Sequence, residues 1–149
     1  MGMTTFSGPI RSENGFITGT GTTMPAVTFT IGLAASGTTD GMAITITAKD
    51  AAGATVAATI PFEWYISEST TGQGLTADSY SGTVTASTGA ILTALTAKKH
   101  FLAVTAATGI FVATAVDSAN PADQYVVAVR PDHTGIVVSA ASGTNWEGA

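Results

Sequence analysis

The sequence predicts an all-β sandwich or barrel, and three observations carry that prediction. Apolar and hydroxyl residues alternate with a period of two through most of the chain. The alternating runs are rich in Val, Ile and Thr, and glycine-bearing turns interrupt them at short, regular intervals. No apolar stripe persists at the three-to-four spacing that a surface helix needs. The many alanines alternate with Thr and Val and are punctuated by Gly, so they read as strand residues too.

Each element can be justified in order. "VTFTIGL" sets Val27, Phe29, Ile31 and Leu33 on one face with threonines opposite, and "AITITA" repeats the pattern through Ile44 and Ile46. "TIPFEWYIS" sends Ile60, Phe62, Trp64 and Ile66 one way, and Glu63 and Tyr65 the other. Large aromatics at such positions fill the gap between two sheets, so Phe62 and Trp64 are expected in the core. Pro61, inside this pattern, predicts an edge strand or a bulge, because proline donates nothing to a ladder. Further strands are expected at "GTVTAS", "ILTALTA", "HFLAVTA", "GIFVATAVD", "YVVAVRP" and "GIVVSA", with Pro131 ending the fifth of these. "KDAAGAT" and "AATGIF" place Gly53 and Gly109 where a tight turn calls for positive φ. "TTGQGL" and "SANPADQ" read as longer, exposed loops.

Composition narrows the function. Charged residues make up 10% of the 149 residues and apolar ones 45%, and the net charge is −5. A neutral surface of hydroxyls and methyls suits packing against other protein, since little charge must be desolvated on contact. Nucleic acid is not an expected partner, because the longest basic run is Lys98-Lys99 and phosphate binding needs a concentrated basic footprint. A membrane is not expected either, for want of a basic surface or a long apolar stretch. The N-terminus lacks the basic and apolar regions of a signal peptide, and Phe6 stands where myristoylation favours Ser or Thr. With 0 cysteines there is neither a disulfide framework nor thiolate chemistry.

No motif points to catalysis, and the chain is expected not to be an enzyme. Asp132, His133 and Ser139 are triad residue types, but neighbours at a strand end point apart and no G-x-S-x-G elbow is present. His100 is expected at a strand start. Glu63 and Glu68 are expected to face opposite sides of a strand. "DSANPAD", with Asp117, Asn120 and Asp123, lacks the D-x-D-x-D-G spacing of a calcium loop and reads as an Asn-Pro turn. No phosphate-cradling glycine loop occurs. Neither a metal nor a cofactor is expected.

The ends of the chain differ from its middle. Residues 1–26 mix glycines and prolines with irregularly placed large apolar groups, so they are expected to form an N-terminal arm. Residues 27–141 form the domain, and 142–149 a short C-terminal tail that carries Trp146 as a contact residue. "TTFSGPIRSENGF" concentrates distinctive residues in a segment that cannot bury them itself. Phe6, Pro9, Ile10, Arg11 and Phe16 are the expected interface residues, with Arg11 and Glu13 orienting by charge. An extra strand laid on the chain's own domain is the other reading of this segment.

"MAITITAKDAAGATVAATIPFEWYIS" and "LTALTAKKHFLAVTAATGIFVATAVDSANPADQYVVAV" resemble the strands of bacterial and phage immunoglobulin-like domains. The opening segment is similar to the N-termini of small structural proteins of tailed phages, through Phe6, Gly8, Pro9, Ser12, Gly15 and Phe16. The resemblance implies an immunoglobulin-like β-sandwich with an extended N-terminal arm, working as a head decoration or cement protein. It further implies the major capsid protein as partner, a homo-oligomer with a trimer favoured, synthesis in the host cytoplasm and a final place on the capsid surface. The alternative is a tail-fibre or surface adhesion module, which would call for exposed aromatics on loops 70–75 and 118–124.

Overall fold

A computed structural model describes residues 27–148, together with the backbone of two short strands at 16–17 and 23–24. Alternating Thr and β-branched residues extend the chain and send successive side chains to opposite faces. Among the described residues this yields only strands: β1 (Phe16–Ile17), β2 (Thr23–Met24), β3 (Thr28–Ala35), β4 (Gly41–Lys49), β5 (Pro61–Ser67) and β6 (Val84–Thr88). β7 (Ala90–Thr96), β8 (His100–Val104), β9 (Ile110–Val116), β10 (Tyr125–Val129) and β11 (Ile136–Val138) follow.

Two antiparallel sheets pack into a β-sandwich. One has four strands in the order β3-β4-β9-β6, the other five in the order β11-β10-β5-β8-β7. β1 and β2 pair only with each other, Phe16 opposite Met24 and Ile17 opposite Thr23. The inward residues follow the period-two pattern: Ile44 and Ile46 of β4 and Trp64 and Ile66 of β5 are each 0% exposed. Trp64 stacks on Phe101 with centroids 4.5 Å apart, and Phe62 meets Phe111 edge-on at 5.4 Å. Such aromatic pairs add about 0.5–1.5 kcal/mol beyond their burial.

Pro61 departs from its expected place. It is neither at a sheet edge nor at a bulge, because β5 is the middle strand of the five-stranded sheet. Proline is tolerated there as the first residue of the strand, where its lack of an N–H does not interrupt the ladder.

One side of the sandwich is crossed by the chain itself. β6 and β7 are separated only by Gly89, yet they belong to different sheets, and β8 and β9 part in the same way across residues 105–109. β6–β7 and β8–β9 are therefore one long hairpin folded over both sheets. Gly89 makes the bend at a φ of 73°, and any Cβ there would strike the carbonyl of Val104. Thr105 latches the other arm: its hydroxyl accepts the N–H of Ile60 at 2.9 Å and donates to the carbonyl of Ala58 at 2.8 Å. On the opposite side β3 and β11 lie near one another without sharing a ladder.

Candidate functional site

The expected interface residues divide sharply. Phe6, Pro9, Ile10, Arg11 and Glu13 lie outside the described residues, and Phe16 is placed only through its backbone in β1. Trp146 requires a correction. It is not a surface contact but a core residue, 2% exposed, set edge-on to Tyr80 at 5.8 Å. Its indole N–H donates to the carbonyl of Pro121 at 2.9 Å. The segment around it is bound back at several points: Ser142 N–H donates to Gln124 at 2.7 Å, and Glu147 and the Asp40–Gly41 turn exchange bonds of 2.9 and 3.1 Å. A lone tryptophan among small polar residues looks exposed in the sequence. Here those small residues let the chain turn back, so the indole can plug the end of the sandwich.

The residues with chemical potential are dispersed. His100 begins β8, and its Nε2 lies 3.3 Å from Glu63 Oε2 across the strand pair, with Tyr65 edge-on to the ring. Glu68 takes the hydroxyl of Thr76. His133 occupies a left-handed turn position with φ of 55°. Asp132 beside it accepts the N–H and the hydroxyl of Thr134 at 3.0 and 2.8 Å, bonds that hold its carboxyl below the usual range. Asp117 is buried, taking the Ser81 hydroxyl at 3.0 Å and the Ala119 N–H at 3.1 Å as an Asx turn does. Burial pushes the nearby Tyr80 phenol up, and the charge of Asp117 adds to the effect. Among the described residues no three His, Asp or Glu side chains gather as a metal site.

The loop expected to be exposed at 70–75 is partly fastened. Tyr65 donates its hydroxyl to the carbonyl of Gly72 at 2.7 Å, and Gly72 is buried against the outer face of β10 and β11. A Cβ at Gly72 would lie 2.7 Å from Val138, which explains the glycine.

Among the described residues the sheet edges leave backbone groups outside the ladders. Unpaired edge groups invite another strand, and proteins usually blunt them with bulges, charge or shortness. β6 carries a register shift between Ala86 and Thr88. β7 carries two, between Ile91 and Thr93 and between Ala94 and Thr96. The residues left over at the β7 shifts are Leu92 and Leu95, which the bulges turn out to 56% and 49% exposure. β11 is only 3 residues long. β3 is the exception: 8 residues without a charge, paired to β4 in unbroken register from Thr28–Lys49 to Ala35–Met42. Its outer residues Thr30, Gly32 and Ala34 are exposed.

Sequence reasoning gave no weight to β3 as an edge or to Leu92 and Leu95. Strand order is a long-range property, and a bulge inside "ILTALTA" leaves no local mark beyond leucines at odds with the alternation. Comparison of the chain with protein-family models, curated proteins and solved structures returns no match.

Proposed function

We propose that this chain is a non-enzymatic structural protein that docks on other protein through its N-terminal segment and the adjoining edge of β3. The carrying observation is the asymmetry of the edges. Three of the four are blunted by bulges or shortness, and the fourth, long and uncharged, is where the N-terminal segment joins the domain. Strand addition at such an edge supplies backbone hydrogen bonds for affinity and side-chain pockets for specificity. The surface fits this use, because His100–Glu63 is the one acid–base contact within 4 Å among the described residues.

The finer reading is a capsid decoration protein with an immunoglobulin-like sandwich. Strand order supports it. Lettered along the chain, β3-β4-β9-β6 over β11-β10-β5 has the A-B-E-D over G-F-C arrangement of a constant-type immunoglobulin domain. β7 and β8 are then a hairpin inserted between D and E and added beside C. The opening segment adds the resemblance to tailed-phage structural proteins. The partner is the major capsid protein, the place of action the virion surface, and the repeated lattice favours a homo-oligomer, with a trimer first. A protein that binds only the assembled shell stabilises it by mass action.

The test is addition of the purified chain to capsids that lack it, beside a chain missing residues 1–20. The full chain is expected to bind and to raise the temperature at which the shell dissociates, and the shortened one to do neither. If the full chain leaves shells unbound and no more stable, the capsid reading fails. Equal performance by the two would remove the role of the N-terminal segment.

A further inference from the structure

The alternation of hydrogen bonds along β3 settles which of its residues face the sheet edge. Ser36 N–H donates to the Gly41 carbonyl at 3.3 Å, one step beyond the pairing of Ala35 with Met42. Bonded and non-bonded pairs alternate along an antiparallel ladder, so Thr28, Thr30, Gly32 and Ala34 turn their backbone groups toward β4. The other side of β4 agrees. Ala48 N–H donates to the Gly109 carbonyl at 2.8 Å, so even-numbered residues of β4 bond toward β9 and odd-numbered ones toward β3. The N–H and C=O groups of Phe29, Ile31, Leu33 and Ala35 therefore point to the edge. Among the described residues no strand pairs with β3 there.

Side-chain direction adds a second constraint. Phe29, Ile31 and Leu33 send their side chains inward, Phe29 fully and the other two only half-buried. Thr30, Gly32 and Ala34 lie exposed on the outer face, and a Cβ on Gly32 would meet nothing within 4 Å.

We propose that the edge of β3 selects an uncharged, extended segment of its protein partner, antiparallel to β3, with an apolar–aromatic–apolar pattern centred on Gly32. This rests on the docking role given above to that edge, and names the chemistry that the edge recognises. An antiparallel partner keeps the sheet of one kind, as its ladders already are. Opposed residues share a face, so partner residues across from Ile31 and Leu33 point inward. They finish covering two half-buried side chains and exchange both backbone bonds with them. The residue across from Gly32 falls in a non-bonded pair, where Cα atoms approach to about 4.5 Å. An aromatic there fills what an edge glycine leaves bare. β3 carries no charge, so an inward charge on the partner would lose its hydration without gaining a counter-ion.

Synthetic peptides on the full chain test this. The probe is Val-Thr-Val-Tyr-Val-Thr-Val on a charged tail for solubility, with its tyrosine meant for Gly32. It is expected to bind and to slow exchange of the Phe29, Ile31 and Leu33 amides at least about tenfold, leaving Thr30 and Gly32 as they were. N-methylation of the two central valines should weaken binding at least about tenfold, since their N–H groups bond to β3. N-methylation of the tyrosine and threonines should leave binding in place. Replacing the tyrosine by alanine should weaken binding about threefold. In the Gly32→Val chain, the tyrosine and alanine peptides should bind alike.

The failures separate cleanly. The reverse N-methylation pattern would mean a parallel strand and overturn the inference, while leaving β3 as the docking edge. A tyrosine preference that is absent, or that survives Gly32→Val, would overturn the pattern and again leave the edge. Binding by no peptide would overturn the docking role of the edge itself. So would slow exchange at Phe29, Ile31 and Leu33 before any peptide is added, and the inference would fall with it.

Discussion

The two sides of the sandwich handle the same problem in opposite ways. On the side crossed by the long hairpin, β6 and β7 are the sheet edges, and both are bulged. There the backbone is tightly determined, by the left-handed bend at Gly89 and the latch of Thr105. On the other side β3 is straight in register, uncharged and unbulged. The difference is one of regularity: among the described residues the register is broken at β6 and β7 and unbroken at β3. Closure by the chain's own connection costs conformational freedom but removes a hazard, whereas a regular edge presents backbone groups in the spacing that another strand would match.

Substitutions can weigh the two sides against each other. Trp146 closes the end that both sides share, and it sets the scale: Trp146→Ala should lose about 3–5 kcal/mol, the range for a buried large aromatic. Urea unfolding followed by Trp64 fluorescence measures this, and a loss under about 1 kcal/mol would return Trp146 to the surface.

On the closed side Gly89→Val should cost about 2–4 kcal/mol, from a β-branched residue forced to positive φ and a Cβ against the Val104 carbonyl. The matching Gly32→Val on the open side should change stability by less than about 0.5 kcal/mol, because the added carbons enter open space. Similar losses at the two glycines would erase the contrast between the sides. Thr105→Val removes the latch while keeping its shape, and should cost about 1–3 kcal/mol by leaving the Ile60 N–H and the Ala58 carbonyl unpaired.

The smallest effect at neutral pH is expected at Tyr80, whose hydroxyl is buried without a hydrogen-bond partner. Burial raises its folded-state pKa above the ordinary 10.0, so the unfolded chain releases this proton at lower pH than the folded one. Stability from this group is complete below about pH 10 and falls as pH rises beyond it. Tyr80→Phe should leave stability at pH 7 nearly unchanged and reduce the alkaline loss. Part of that loss remains, because burial raises Tyr65 as well. Identical alkaline profiles for the two chains would show that Tyr80 is not the group that titrates.

Much of the fold was legible in the residues, and the failures are instructive. The alternation in "AITITA" and "PFEWYIS" identified inward residues correctly, because strand geometry ties side-chain direction to sequence parity. Gly53 and Gly109 were legible as turn glycines from their neighbours, and both adopt positive φ. Pro61 was misread because its tolerance depends on where the strand starts, which one residue's surroundings do not reveal. Trp146 was misread because burial of a terminal segment depends on a cavity built by Tyr80 and Pro121, far away along the chain. The candidate site was the least legible part. An edge is defined by which strand is missing beside it, and Leu92 and Leu95 become exposed only through bulges against β8.

The sequence by itself therefore determined local matters: all-β character, the inward face of each strand, the turn glycines and a surface with little charge. These follow from short-range sterics and side-chain periodicity, which neighbouring residues settle among themselves. Tertiary structure decided the strand order, the folded hairpin that closes one side, the burial of Trp146 and the place of β3 at a sheet edge among the described residues. Each of those depends on contacts between residues distant in the chain, where loop closure and packing against the whole core choose among pairings that local propensity leaves nearly equal.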